Sequence, residues 1–122
     1  MTPTQRTLKA LKEQGRVCGI VERFNPYVGE HGIRQDLFGF IDIIALDRKL
    51  GIIAVQSCGQ SFAAHYRKIT EERYHECAEW LRCGGRVELW GWRKVKHKRG
   101  GVAMRWKPRV REITQKDLDE VL

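Results

Sequence analysis

No stretch of the chain is apolar over the length that crossing a bilayer requires, and the opening Met1-Thr-Pro-Thr-Gln-Arg6 lacks the apolar segment of a secretion signal. The expectation is a cytoplasmic, intracellular protein with no membrane partner. Cys18, Cys58, Cys77 and Cys83 show no Cys-x-x-Cys spacing and lie in or beside apolar segments. That argues against a structural zinc site and for free, mostly buried thiols. No internal repeat or low-complexity segment is present. Acid is scarce toward the C-terminus: from Arg86 to Arg111 the only carboxylate is Glu88, against ten Lys and Arg residues, whereas residues 1 to 46 carry six basic and five acidic side chains.

What is there in quantity is positive charge. A formal net charge of +8 on 122 residues points to a polyanionic partner. Trp90, Trp92 and Trp106 are interleaved with the basic residues, and large aromatics are costly to expose for solubility alone. The length suits one domain, residues 1–122, around one modest core.

The apolar periodicity gives an order of elements. Pro3 to Gln14 is helical, with Leu8 and Leu11 among charged residues and Gly15 as the stop. A strand is expected over Val17–Phe24, and Asn25 to Gln35, with Pro26, Gly29 and Gly32, reads as a loop. Phe38–Leu46 and Leu50–Ser57 form an apolar antiparallel hairpin whose two faces must both be covered. Ser61 to about Arg82 is the longest helix, with Phe62, Tyr66, Ile69, Cys77 and Trp80 on its apolar stripe and Gly84-Gly85 as its end. Arg86–Arg93 alternates as a strand, Lys94 to Gly101 reads as a basic turn, Val102–Ile113 is a strand edged by Pro108, and Thr114 with Asp117 caps a short last helix. The fold class is α/β, a mixed sheet flanked by helices. The long crossover between Ser57 and Arg86 makes the Arg86 strand parallel to a neighbour.

Arg34-Gln-Asp-Leu-Phe-Gly-Phe-Ile-Asp42 places a carboxylate in a run that otherwise reads as buried strand. An ionised Asp there needs a positive partner, and metal coordination is one general answer; a backbone cap or an Arg pair is the other. Strand alternation puts Phe40, Asp42 and Ile44 on one face and Ile52, Ala54 and Gln56 on one face, so Gln56 comes toward Asp42 at the hairpin ends remote from the turn. Phosphodiester hydrolysis needs a divalent cation and a group that holds or deprotonates water. Asp42, Asp36 and Glu22 are the candidate ligands, and Lys68 or His65 of the long helix the candidate water-orienting or leaving-group residue.

Gly39-Phe-Ile-Asp42, followed by the strand Gly51-Ile-Ile-Ala-Val-Gln56 and a helix, resembles the core of the PD-(D/E)XK nuclease superfamily, in particular its small members akin to archaeal and phage Holliday junction resolvases. The resemblance spans roughly Glu22 to Trp92. It implies a restriction-endonuclease-like core, Mg2+- or Mn2+-dependent cleavage of duplex or branched DNA such as Holliday junctions, a homodimer, and an archaeal origin or a virus-encoded one. Carried over by position, Asp42 takes the place of the metal-binding aspartate and Glu22 that of the glutamate preceding it. The tripeptide falls on Ala54-Val55-Gln56. Ala54 thus stands where the second acid belongs and Gln56 where the lysine belongs, and an amide cannot act as a base near neutrality. Asp36 or Glu22 would then supply the missing acid and Lys68 the missing lysine.

The DNA-binding residues expected from charge are Arg34, Arg93, Lys94, Lys96, Lys98 and Arg99, with Arg105, Lys107, Arg109 and Arg111 alternating along one face of the last strand. The leading expectation is a metal-dependent DNA endonuclease. The alternatives are a catalytically inactive nuclease-fold DNA-binding protein, favoured by Ala54 and Gln56, and a basic protein–protein adaptor anchored by Trp90, Trp92 and Trp106.

Overall fold

The first helix owes its start to Thr2, whose Oγ1 accepts the Gln5 N–H while Gln5 Oε1 accepts the Thr2 N–H, with Pro3 preset for the first turn. In the computed structural model, which describes residues 1–121, helix α1 spans Pro3–Glu13 and ends at Gly15, whose φ of +82° suits glycine. Strands β1 (Val17–Ile20), β4 (Ile43–Asp47), β5 (Gly51–Cys58), β6 (Arg86–Lys96) and β7 (Met104–Ile113) form one mixed sheet in the order β1-β4-β5-β6-β7. Strands β5 and β6 are parallel, joined by the expected helical crossover, and the other neighbours are antiparallel. A separate two-stranded ribbon pairs β2 (Arg23–Asn25) with β3 (Ile33–Gln35).

Both faces of the central strands are covered, as their continuous hydrophobicity demands. On one side Leu11 of α1 packs with Ile43, Ala45, Ile53, Val55, Trp90 and Trp92. On the other, Phe40, Ala54, Val87 and Leu89 meet Ile69, Cys77 and Leu118, with Phe62, Tyr66 and Trp80 around them. The crossover stripe expected from sequence is the one that packs. It does so through three segments rather than one continuous helix: α2 (Phe62–Arg67), a wide π-type turn over Lys68–Glu72, and α3 (Tyr74–Arg82). Eight α-helical residues from Ile69 would leave Cys77 about 80° off its direction, and absorbing one extra residue in the wide turn brings the two within about 20°. The Arg73 N–H accordingly reaches back five residues to the Lys68 carbonyl, at 2.8 Å. Helix α4 (Gln115–Asp119) carries the Thr114–Asp117 capping box. No helix among the described residues is long and apolar enough to cross a membrane.

Several expectations are corrected. The strand expected over Val17–Phe24 divides after Ile20, its second part leaving the main sheet for the ribbon; the segment read as a loop supplies the ribbon's other strand. The strand expected from Phe38 starts at Ile43, because Phe38 and Gly39, at φ +54° and +80°, form a tight turn closed by the Ile41 N–H to Leu37 O bond. The basic turn at Lys94 is still strand: β6 runs to Lys96, and β7 begins at Met104 rather than Val102. Trp90 and Trp92 are not exposed among the charges; they are core residues facing α1. The cysteines are free, Cys58 and Cys77 buried, Cys18 partly so and Cys83 exposed.

Candidate metal centre

Three carboxylates meet where the main sheet branches into the ribbon, and strand register explains why. The β1–β4 ladder ends at Ile20 opposite Ile43, and one rung further the N–H groups of Val21 and Glu22 both donate to the Asp42 carbonyl, at 2.8 and 3.3 Å. The ribbon pairs Arg23 with Gln35, so its next rung sets Glu22 against Asp36. Glu22 thus sits beside both aspartates. One carboxylate oxygen from each of Glu22, Asp36 and Asp42 lies within 4.8 Å of the others.

Asp42 is the deepest of the three, 5% exposed, at a bend just before β4 rather than inside a strand. Its own N–H pairs with Val55 O at 2.9 Å, and Oδ2 accepts the Ser57 N–H at 2.8 Å. No arginine holds it. Burial, then a hydrogen bond shared with Asp36, push the Asp42 carboxyl up to about 8; the Ser57 N–H opposes the shift, and the charges of Asp36 and Glu22 add to it. A carboxylate so placed favours either a proton or a cation.

Gln56 comes beside this group, as the hairpin geometry predicts. Its Nε2 donates to Asp36 Oδ2 at 3.2 Å, while its Oε1, on a side chain 2% exposed, is buried without a hydrogen-bond partner. A buried acceptor left unpaired is costly, and a cation at the acid cluster is one way to satisfy it. Lys68, at the end of α2, extends Nζ to the same Asp36 Oδ2, at 3.1 Å. Carboxylate oxygens are hard donors, of the kind that divalent cations such as Mg2+, Ca2+ and Mn2+ take.

Outside the cluster lies a cleft of about 640 Å³ whose walls carry Asp36, Lys68, Arg23, Arg34 and Arg73. Arg73 lies against Gly39, so closely that a Cβ there would stand 2.4 Å from Nε. Arg23 and Arg73 were not legible as site residues: Arg23 belongs to a ribbon strand that was not foreseen, and Arg73 depends on the break in the helix. Arg34 pairs with Glu22 at 3.2 Å.

His65 is not brought to the centre. Its Nδ1 is 3.1 Å from Ser61 Oγ and 2.9 Å from Ser61 O, one turn back in α2, and it lines neither the acid cluster nor the cleft. Ala54, where space was expected, is fully buried in the core.

No protein-family model, curated protein or solved structure matches this chain.

By β-pairing, Arg93, Arg105, Lys107, Arg109 and Arg111 share the sheet face that bears Gln56, whereas Lys94 and Lys96 lie on the opposite, α1 face. Arg109 stacks over Phe62 at 4.0 Å. Arg111 is bound to Asp117 at 2.8 Å, which holds it as a structural ion pair between β7 and α4 rather than a free cation. Lys98 and Arg99 are exposed in the loop between β6 and β7.

Proposed function

We propose that this protein is a divalent-cation-dependent DNA endonuclease of restriction-endonuclease-like architecture, with Glu22, Asp36 and Asp42 as cation ligands. The observation that carries the reading is the convergence of those three carboxylates, with Gln56 Nε2 and Lys68 Nζ both on Asp36 and a cationic cleft alongside. Acidic side chains brought this close repel one another unless a positive charge joins them.

A bound Mg2+ or Mn2+ supplies neutralisation of the phosphodiester and acidification of water. The chain's own residues do the rest. Asp42, anchored by the Ser57 N–H, fixes the inner side of the site, and Glu22 and Asp36 close it from the ribbon. Gln56 orients Asp36 through Nε2. Lys68, whose Nζ contacts Asp36, would be free to hold the attacking water or the oxyanion once that carboxylate served a cation; a flexible ammonium is suited to either. Arg23, Arg34 and Arg73 bind the phosphates flanking the scissile one and steer DNA into the cleft. In this reading Asp36 replaces the acid missing at Ala54, and Lys68 replaces the lysine missing at Gln56. Selectivity for branched DNA and a homodimeric state are carried only by the family resemblance.

A second reading has its own support. The Lys68–Asp36 contact neutralises one acid with no metal at all, as a DNA-binding protein that has lost catalysis would require. Calorimetry with Mn2+ and cleavage of supercoiled plasmid, linear duplex and four-way-junction DNA separate the two. The nuclease gives binding heat and cation-dependent cleavage, both lost in Asp36→Asn. Binding of DNA with neither cation heat nor cleavage overturns the nuclease in favour of the inactive protein.

A further inference from the structure

The register of β6 and β7 carries part of the basic hairpin beyond the rest of the sheet as an arm. Strand β5 ends at Cys58, opposite Gly91, so the rungs from Trp92–Pro108 to Lys96–Met104 have no third strand beside them. At about 3.3 Å per residue, those rungs carry the hairpin about 16 Å past the end of β5 before the connecting loop begins. Between Arg93 and Lys107 every side chain except Val95 is exposed, and the sequence holds no carboxylate between Glu88 and Glu112.

Cations occupy both faces of this arm and its tip. Arg93, Arg105 and Lys107 project from one face; Lys94 and Lys96 project from the other; Lys98 and Arg99 lie in the loop. On the second face Lys94 Nζ and the Arg6 guanidinium stand over the Trp106 ring, at 5.2 and 3.9 Å from its centroid, so the charge continues onto α1. Apart from these contacts to Trp106, the charges work against folding, because like charges repel across a ribbon that carries no acid. An arm laid flat on a phosphate backbone would need cations on one face only. Cations on both faces complement phosphate on both sides.

We propose that residues 93–107 insert as a two-stranded ribbon into the major groove of duplex DNA, each face contacting one of the two backbones that wall the groove. The major groove, about 12 Å wide, admits a β-ribbon without deformation, whereas the minor groove, about 6 Å wide, has to be opened first. The proposal rests on the DNA-directed reading above but not on catalysis. With Arg93, Arg105 and Lys107 on the same sheet face as Gln56, the arm holds the duplex from the side on which the acid cluster lies.

The test compares the full-length chain with two surface variants, Lys94→Gln with Lys96→Gln, and Arg105→Gln with Lys107→Gln, for binding to a short blunt duplex in EDTA. Loss of two phosphate contacts at about 0.15 M salt weakens binding about 30-fold and makes the log–log salt slope shallower by about 1.8. Groove insertion requires losses of this order in both variants, together with interference by methylation of guanine N7, which lies in the major groove. Loss in the Arg105/Lys107 variant alone means flat docking and overturns the proposal. So does undiminished binding in both variants, or binding to anionic phospholipid vesicles but not to DNA. Cleavage by the parent protein in Mg2+ or Mn2+ is scored separately: two-faced binding without cleavage sustains the arm and refutes the nuclease, and cleavage with one-faced binding does the reverse.

Discussion

Replacing Asp42 by Asn tests the centre on stability and function at once. The folded value of this carboxyl, about 8, lies far above the roughly 3.9 of an unfolded aspartate. The folded state therefore binds the extra proton. The contribution of this group is fully present below about pH 4 and is lost as pH rises toward about 8. At about 1.4 kcal/mol per unit, the three units between 3.9 and pH 7 set a ceiling of about 4 kcal/mol on what the wild-type centre forfeits by pH 7 without a cation. Asn does not titrate, and its Oδ1 can still accept the Ser57 N–H. Metal-free Asp42→Asn should therefore be more stable than wild type at pH 7.5 by about 1–3 kcal/mol, a rise in Tm of several degrees, and the gain should shrink by more than half at pH 5. Calorimetric or fluorescence melts at the two pH values measure this. Addition of Mn2+ should raise the wild-type Tm and leave that of the variant unchanged. A variant that is destabilised at pH 7.5, or whose advantage is the same at pH 5, would refute the account of a charge-crowded site awaiting a cation.

Lys68→Ala should lower the cleavage rate by about 100-fold or more while keeping the Mn2+-induced rise in Tm, because Lys68 contacts a ligand without being one; equal loss of both would place it in cation binding. Thr7→Val should cost about 2–3 kcal/mol in urea melts, since Thr7 Oγ1 accepts from Trp92 Nε1 at 2.8 Å and from Ser57 Oγ at 3.0 Å, and both donors would be left buried and unpaired. Arg16→Ala should cost about 2–3 kcal/mol by the same measurement, because Glu88 and Asp47, each bonded to Arg16 at 3.0 Å, lose their shared cation. Gly39→Ala should cost about 1–2 kcal/mol from its φ of +80° and should displace Arg73, which would appear as weaker DNA binding at unchanged cation affinity.

Much of the fold was legible because it rests on short-range patterns. The first helix with its Gly15 stop, the turn between Leu46 and Leu50, the crossover stripe and the Thr114 cap follow from periodicity and cap chemistry that act within a few residues. The crossover also fixed the one parallel pair of strands. The ribbon was hidden because three-residue strands with exposed Phe24 and Ile33 carry no periodicity that distinguishes them from a loop. Trp90 and Trp92 were misread because the strand's alternation says that two faces differ, not which of them α1 will cover.

The acid cluster divides in the same way. Asp42 stood out by itself, since a carboxylate within an apolar run must be compensated wherever it lies, and the hairpin alternation was enough to bring Gln56 beside it. Glu22 and Asp36 could be named as candidates, but only the ladder continuing from Ile20–Ile43 into the Arg23–Gln35 ribbon sets them opposite one another. Lys68 reaches Asp36 from the end of α2, where the wide turn that keeps Ile69 and Cys77 in the core begins. Residue types and local periods are written along the chain; which charges face one another depends on strand register and helix phase, and those are settled by packing between segments far apart in sequence.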